Sequence, residues 1–163
     1  MHAYYIFVYL NSMTREESID YNIKAAWHAI SRMYNQQAVK YGITTSIGFV
    51  LLNINSKEGT PATKIAPLMG LESRSLTRML KSMEEKRLIY KSPDPEDKRS
   101  VRIFLTDLGI EKKAISRETV KAFNEEVFRT IEPEKLEAFF DVINKVNDII
   151  DKNEIYNHKE SVH

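Results

Sequence analysis

The most informative run of this chain is Gly70-Leu71-Glu72-Ser73-Arg74-Ser75-Leu76-Thr77-Arg78-Met79-Leu80-Lys81-Ser82-Met83-Glu84-Glu85-Lys86. Leu76, Leu80 and Met83 recur at the spacing of one helix face, with Met79 at its edge, and predict a buried stripe. The opposite face carries hydroxyls and long cations, which are Ser73, Arg74, Thr77, Arg78 and Lys81. The run therefore predicts a helix that is buried on one side and suited to a polyanion on the other.

Two longer helical patterns precede this run. Apolar residues recur every three to four positions between Ile19 and Tyr41, which predicts one long helix that ends at Gly42. Thr44 or Thr45 can cap a second helix, which is expected to stop near the turn at residues 57–59. Both helices present an apolar face, so both are expected to pack against other elements of the chain.

A short third helix is predicted immediately before the run. Thr60-Pro61 supplies an N-cap residue followed by proline at the first helical position, and the helix is expected to reach Gly70. Pro67 lies inside this helix and removes one backbone hydrogen bond. We therefore expect a kinked or tightened last turn.

A hairpin is predicted after the run. Two β-prone runs, 88–91 and 100–105, flank a charged turn rich in Pro and Asp. Val101, Ile103 and Leu105 alternate as the buried face of one strand should. The sequence therefore predicts a two-stranded hairpin with a charged tip.

Two long helices are predicted to complete the chain. Thr106 is a good N-cap for a helix that runs to about Ile131, and Pro133 opens a last helix that ends near Asn153. Four helices, a hairpin and two helices form a mainly α fold with a small β-hairpin wing, which is the winged helix-turn-helix plan. In that plan the second helix of the turn motif enters the major groove of DNA.

Composition excludes several other classes of protein. The 163 residues contain no cysteine, so disulfides, thiolate metal sites and cysteine nucleophiles are excluded. The four histidines lack metal-ligand spacing, and no phosphate-binding or nucleophile motif occurs. We therefore predict no enzymatic activity, no metal and no cofactor.

The apolar run 3–10 is too short to span a membrane and no signal peptide is evident, so we predict a cytoplasmic protein without a membrane partner.

The distribution of charge along the chain is uneven. The whole chain carries a formal net charge of +1, but residues 71–102 carry +3 and residues 103–163 carry −4. Such an asymmetry can mark a local polyanion-binding surface, although a solvated face would explain so small an excess equally well.

The predicted helix face and the hairpin tip have the chemistry of a DNA contact. Arg, Lys, Ser and Thr can satisfy base edges in the major groove, and a helix start can hold a phosphate near Ser73. A guanidinium on a protruding loop can enter a narrow A·T minor groove, and Asp97 can orient Arg99 by a charge-assisted pair. Asp94 and Glu96 partly cancel the positive charge of the tip. The predicted DNA-contacting residues are Ser73, Arg74, Ser75, Thr77, Arg78 and Lys81 on the helix and Asp97, Lys98 and Arg99 on the hairpin.

Three motifs together resemble the multiple-antibiotic-resistance regulator (MarR) family. They are the run 70–86, the Asp-x-Arg-Ser turn at 97–100 and Leu-Thr-x-x-Gly at 105–109. The resemblance in element order covers about residues 16–152. It implies a transcription factor that works as a homodimer built from its first and last helices and binds double-stranded DNA through the recognition helix and Arg99. Members usually have glycine where this chain has Arg87, so the recognition helix is expected to end differently.

The resemblance and the long helices lead to one functional hypothesis. A helix of about 25 residues is longer than a small globule is wide, and one copy cannot cover its apolar positions. We therefore expect a homodimeric repressor of a pseudo-palindromic operator, released by a small aromatic ligand as many relatives are. Trp27, Tyr34 and Phe49 can line such a ligand pocket, but residues of this kind are more often core. The alternative is a winged-helix module that binds protein instead of DNA.

The expected division of the chain follows from these elements. Residues 1–12 fall outside the resemblance and reflect either a choice of start codon or an additional segment that packs across the dimer. The predicted regions are an amino-terminal extension of undefined structure at 1–15, a dimerisation region at 16–42 and 107–152, a DNA-binding region at 43–106 and a polar tail at 153–163.

Overall fold

The computed structural model of the chain describes residues 12–95, 97, 100–152 and 155–156. A short 3-10 turn at Arg15–Glu17 precedes the first helix. The helices are α1 (Ile19–Lys40), α2 (Thr45–Leu52), α3 (Ala62–Leu68), α4 (Ser73–Glu85), α5 (Asp107–Thr130) and α6 (Pro133–Asp151). The strands are β1 (Thr60–Pro61), β2 (Ile89–Pro93) and β3 (Val101–Leu105). The predicted fold class, a mainly α winged helix-turn-helix protein, is confirmed.

The chain divides into two compact units at a boundary between Thr119 and Val120, inside α5. The first unit holds α1 to α4, the sheet and the amino-terminal half of α5. The second holds the rest of α5 and α6. The assignment of separate DNA-binding and dimerisation regions stays a prediction. The expected packing of the extension concerns residues 1–11, which lie outside the described residues.

The core of the first unit is built from α2, α3, α4 and the sheet. Leu51, Ile65, Met83 and Ile103 are fully buried in it. The predicted stripe of α4 is confirmed, because Leu76, Leu80 and Met83 are buried and Met79 packs partly buried at their edge. Each fully buried side chain of this size contributes about 1.5 to 3 kcal/mol by leaving water. Burial of this stripe therefore fixes which face of α4 is left outside.

The sheet has three strands and not the predicted two. Thr60 pairs with Ile103 and Pro61 with Arg102, so the strand order is β1-β3-β2. The prediction that Thr60 caps α3 is wrong, because its hydroxyl accepts a hydrogen bond from the Asn55 backbone N–H at 2.9 Å and donates to the Asn53 carbonyl. Pro61, which lacks an N–H, occupies an edge strand, where proline is tolerated.

Helix α2 ends at Leu52, five residues before the predicted turn. Thr44 is its N-cap, as expected, and its hydroxyl accepts from the Ile47 N–H at 3.3 Å. Two asparagines then bond to nearby backbone groups: the Asn53 side chain donates to the Phe49 carbonyl and the Asn55 side chain accepts from Lys57 N–H. Asparagine side chains that bond locally in this way favour turns over a continued helix.

Pro67 has the predicted effect on α3. The helix ends one residue later, and the N–H groups of Met69 and Gly70 donate to the carbonyls of Ala66 and Pro67 at 3.1 Å each. Both bonds span three residues instead of four, which is the tightened geometry of a 3-10 turn. The turn into α4 therefore begins from a compact helix end.

The buried alternation of β3 holds for only two of the three predicted residues. Ile103 and Leu105 are buried, but Val101 is 41% exposed. Val101 pairs with Pro93, which is also exposed, at the end of the sheet that leads to the hairpin tip. The prediction of a buried Val101 is wrong for that reason.

The Leu-Thr-x-x-Gly motif has a direct structural explanation at the junction of β3 and α5. Leu105 is buried, and the Thr106 hydroxyl accepts from the Gly109 N–H at 3.0 Å as an N-cap, which confirms the prediction. The same hydroxyl donates to the Arg87 carbonyl at 2.7 Å. A Cβ on Gly109 would lie 1.9 Å from the Leu88 carbonyl oxygen, so α5 can approach the sheet only because residue 109 is glycine.

Helix α4 ends in the glycine-type geometry although Arg87 is not glycine. Arg87 has a φ of 56°, its N–H donates to the Glu84 carbonyl, and the Leu88 N–H donates to the Met83 carbonyl, each at 2.9 Å. This is the bond pattern of a Schellman cap. The expectation that this helix ends differently is therefore wrong, because these two bonds and the Thr106 hydroxyl hold the left-handed conformation.

Arg87→Gly should stabilise the protein by about 1 kcal/mol, since a left-handed residue with a Cβ carries a steric penalty of that order. Urea unfolding followed by circular dichroism measures the change. Lys86→Gly is the matched control: Lys86 has a φ of −80°, so glycine there relieves no strain and should destabilise. An Arg87→Gly protein no more stable than the parent would show that this residue is not strained.

The second unit is simpler. Pro133 is the first residue of α6, as predicted, and the helix ends at Asp151, two residues before the predicted end at Asn153, which itself lies outside the described residues. Several large apolar side chains of α6 are exposed, including Phe139, Phe140, Ile149 and Ile150. None of the described helices combines the length and the apolar character that a transmembrane span requires.

Candidate nucleic-acid interface

The outer face of α4 forms the centre of the candidate site. A four-residue turn from Met69 to Glu72 joins α3 to α4; Gly70 in it adopts a φ of 59°, and the Leu71 N–H donates to the Ala66 carbonyl. The helix begins at Ser73, as predicted, with Glu72 as its N-cap residue. The structure places all six predicted helix residues on the exposed surface: Ser73, Arg74, Ser75, Thr77, Arg78 and Lys81.

The cations of this face are available to an incoming polyanion. Arg74, Arg78 and Lys81 are four and three residues apart, so they share one side of the helix. Within the described part of the chain, none of these three forms an ion pair. Of the two acidic residues that end the helix, Glu84 is held by Lys91 on β2, with 2.7 Å between Nζ and Oε2. The face therefore presents uncompensated positive charge.

The hydroxyls of this face behave differently from the cations. The Thr77 hydroxyl donates its proton to the Ser73 carbonyl at 2.9 Å, one turn earlier. Its oxygen keeps its acceptor capacity, and its methyl group remains exposed for apolar contact. Ser73 is the first helical residue, where backbone N–H groups lack helical partners and can bind an anion. This arrangement agrees with the chemistry expected of Ser73 as a phosphate contact.

The hairpin that follows is closed by backbone hydrogen bonds at the base of its tip. The Asp94 N–H donates to the Ser100 carbonyl at 3.0 Å, and the Ser100 N–H donates to the Asp97 carbonyl at 2.8 Å. Asp97 is exposed, as expected for a residue at the tip. Lys98 and Arg99 lie outside the described residues, so the predicted pairing of Asp97 with Arg99 and the minor-groove contact of Arg99 stay predictions.

Sequence reasoning missed an ion pair at the base of the hairpin. Asp94 is 3% exposed, and its carboxylate accepts from Arg102 Nε at 3.1 Å and from Nη2 at 3.3 Å. Arg102 Nη1 also donates to the Glu58 carbonyl at 3.2 Å, 44 residues away along the chain. Asp94 is therefore paired with Arg102 at the base of the hairpin, and the expectation that Asp94 and Glu96 lower the positive charge of the tip stays a prediction. The alternation of β3 indicates that Arg102 faces away from Ile103, but no local signal identifies its partner.

An aromatic cluster lies where α1 packs on α2. The ring of Phe49 is 5.8 Å from Trp27 and 6.0 Å from Tyr34, measured between centroids. Tyr34 is buried and desolvation raises the pKa of its phenol, whereas Trp27 is half exposed. The structure thus brings together the three aromatic residues considered for a ligand pocket. A separate groove of about 570 Å³ follows the amino-terminal half of α1, and Arg15, Lys24, His28 and Arg32 are among its lining residues.

Comparison with known proteins agrees with this arrangement. The MarR family model matches residues 43–101, which include α2, α3, α4, β1 and β2 and end at the first residue of β3. The transcriptional regulator SarZ of Staphylococcus aureus is 30% identical over 132 residues, which is 80% of this chain and 85% of SarZ. The chain is a transcriptional regulator of the MarR family. The resemblance drawn from the three sequence motifs is thereby confirmed.

Solved structures of MarR-type regulators share the fold. The S. aureus MepR–DNA complex superposes with a TM-score of 0.74 at 20% identity, covering 80% of this chain and 97% of MepR. Rhodococcus jostii CouR bound to p-coumaroyl-CoA gives a TM-score of 0.70 at 18% identity, covering 83% of this chain and 95% of CouR. At these identities the superpositions establish the winged-helix architecture of this MarR-family chain.

Proposed function

We propose that this MarR-family regulator is a repressor that binds a pseudo-palindromic operator as a homodimer. The observation that carries the proposal is the outer face of α4, where Arg74, Arg78 and Lys81 stand exposed on a helix whose other face is buried in the core. A helix held in this way fits the major groove of B-form DNA, where base edges and flanking phosphates accept hydrogen bonds from Arg and Lys.

The hairpin supplies the second part of the proposed interface. Arg99 enters the minor groove beside the operator core, where an A·T-rich sequence narrows the groove and strengthens its negative potential. Lys98 and Asp97 assist, the first through phosphate contact and the second by orienting Arg99. Specificity then comes from α4 at the core of each half-site and from the wing at its flank.

Exposed apolar residues support the homodimer. On α1, Ile19, Ile23 and Trp27 are 60%, 44% and 50% exposed and lie four residues apart, so they form one apolar line along the helix. On α6, exposed apolar side chains include Phe139 and Ile150. Contiguous apolar surface of this kind is typical of an oligomer contact. A two-fold dimer would place two recognition helices about 34 Å apart, one turn of DNA.

A small aromatic ligand is the proposed signal that releases the operator. The cluster of Trp27, Tyr34 and Phe49 joins α1 to α2, and a flat apolar molecule can stack against exposed Trp27. The CouR structure similar to this chain holds p-coumaroyl-CoA. A ligand acts here by binding better to a dimer whose recognition helices are wrongly spaced for the operator.

The decisive experiment is a footprint of the purified protein on its own upstream DNA, repeated with candidate aromatic acids. Two protected patches about one helical turn apart are expected, and they should weaken when an effective ligand is present. The alternative function is a winged-helix module that docks on another protein. It predicts that no DNA sequence is protected at protein concentrations too low to coat the DNA non-specifically.

Arg78→Ala should lower operator affinity by about 1 to 3 kcal/mol, because Arg78 is centrally placed on the exposed face of α4. If it reads a base, preference relaxes at one operator position; if it holds a phosphate, all sequences weaken alike. Titration of single-base operator variants by fluorescence anisotropy separates these results. Lys86→Ala is the control, since it removes the same charge beyond the end of α4. Unchanged binding by Arg78→Ala would exclude this residue from the interface.

A further inference from the structure

We propose that Arg102 is a positioning residue that holds the base of the wing in place. It thereby sets the preference of the protein for the base pairs that flank the operator core. This inference rests on the proposed function, because it concerns how the wing is presented to DNA. Three donated hydrogen bonds carry it: two from the guanidinium to Asp94 and one to the Glu58 carbonyl.

The pair with Asp94 is built into the fold. The Arg102 side chain is 14% exposed and the Asp94 side chain 3%, and the two nitrogens reach different carboxylate oxygens. A two-point contact between planar groups fixes orientation as well as distance. Asp94 is also the residue whose backbone N–H closes the hairpin onto Ser100. The position of the carboxylate therefore determines where the two chain segments of the wing leave the sheet.

The bond to Glu58 connects the wing to the rest of the first unit. Glu58 belongs to the segment between α2 and β1, and β1 pairs with β3 through Pro61 opposite Arg102. Through one guanidinium, Arg102 thus joins β3 to the residue that follows β2 and to the α2–β1 segment. The hairpin cannot swing about β3 without losing these bonds. The base of the hairpin is consequently held in a defined direction relative to α4, which packs against the same sheet.

Loss of the guanidinium would have a predictable electrostatic effect. Without the Arg102 guanidinium, the Asp94 carboxylate, which is 3% exposed, loses two charge-assisted hydrogen bonds, and this loss favours its movement into solvent. Movement into solvent opens the base of the hairpin and adds negative charge on the side of the tip. Both changes act on the wing, whereas the outer face of α4 keeps its residues and its packing.

The test compares two operators with the same core and either A·T-rich or G·C-rich flanks. The wild-type protein should prefer the A·T-rich flanks, and Arg99→Ala, the reference variant, should lose that preference. Arg102→Gln should lose about tenfold in affinity on A·T-rich flanks and less than about twofold on G·C-rich flanks, with single-base preferences in the core retained. The affinity of Arg102→Lys for the operator with A·T-rich flanks should lie between those of the wild-type protein and Arg102→Gln, because one ammonium cannot replace all three hydrogen bonds.

Two further variants separate positioning from loss of charge or of folding. Lys91→Gln removes one positive charge from the same sheet without touching Asp94, since Lys91 pairs with Glu84; it should keep the flank preference. Asp94→Asn/Arg102→Gln removes the charges of both partners of this ion pair, so it should fold and should still lose the preference. The role of Arg102 would be overturned if Arg102→Gln and the double variant kept the preference for A·T-rich flanks. It would also be overturned if Lys91→Gln lost that preference to the same extent. A wild-type protein that binds neither operator would instead overturn the proposed function.

Discussion

Operator affinity should fall about a thousandfold when monovalent salt is raised from roughly 50 to 200 mM. Arg74, Arg78 and Lys81 are exposed and unpaired among the described residues, and a homodimer presents each of them twice. Neutralising about six phosphates releases their counterions, and the logarithm of affinity then decreases steeply with the logarithm of salt concentration. The net charge of +1 cannot produce such a slope through the overall field of the protein, so the effect must come from local contacts.

Fluorescence anisotropy with a labelled operator at several salt concentrations measures the slope. Replacing Arg78 by Ala should reduce its magnitude by about two for a dimer if Arg78 holds phosphate, because each copy then loses one contact. The Lys86→Ala control should leave the slope unchanged. A nearly flat dependence in the wild-type protein would contradict the DNA-binding role of this face and favour the rival function, a winged-helix module that binds protein.

Gly109→Ala should destabilise the protein by about 3 kcal/mol, at the upper end of the cost of overpacking. The added Cβ would lie 1.9 Å from the Leu88 carbonyl oxygen, which also accepts the Thr106 N–H at 3.1 Å and is held in place on both sides. A backbone atom fixed in this way cannot yield as a side chain can. Helix propensity alone predicts the opposite sign, since alanine is favoured over glycine by about 1 kcal/mol within a helix.

Urea unfolding at constant pH gives the difference in free energy. Gly42→Ala is the matched control: a Cβ there meets nothing within 4 Å, so only the strain of its φ of 72° contributes, about 1 kcal/mol. A Gly109→Ala protein that is more stable than the parent would show that α5 can move away from the sheet. The close approach of α5 would then not be the reason for glycine in the Leu-Thr-x-x-Gly motif.

Local patterns were sufficient for the six helices and the hairpin of this fold and for the surface of α4. The spacing of Leu76, Leu80 and Met83 predicts which side of that helix is buried, and burial leaves its cations outside. Thr106 as a cap is equally local, because a cap bonds to N–H groups only three residues away. The prediction failed at Thr60, whose sequence position is compatible with two local structures. Thr60 resembles a helix cap in sequence, but its hydroxyl binds the preceding turn and its backbone pairs with β3.

Short-range spacing in the sequence specifies the order of the six helices and the hairpin, the buried stripe of the recognition helix and the cations left outside it. These follow from interactions between residues three or four positions apart, which any short window of sequence contains. Long-range packing specifies the third strand, the left-handed Arg87 held by Thr106 and the hydrogen bonds from Arg102 to Asp94 and Glu58. Each of these depends on partners far apart in sequence, and their pairing is selected by the packing of the whole unit.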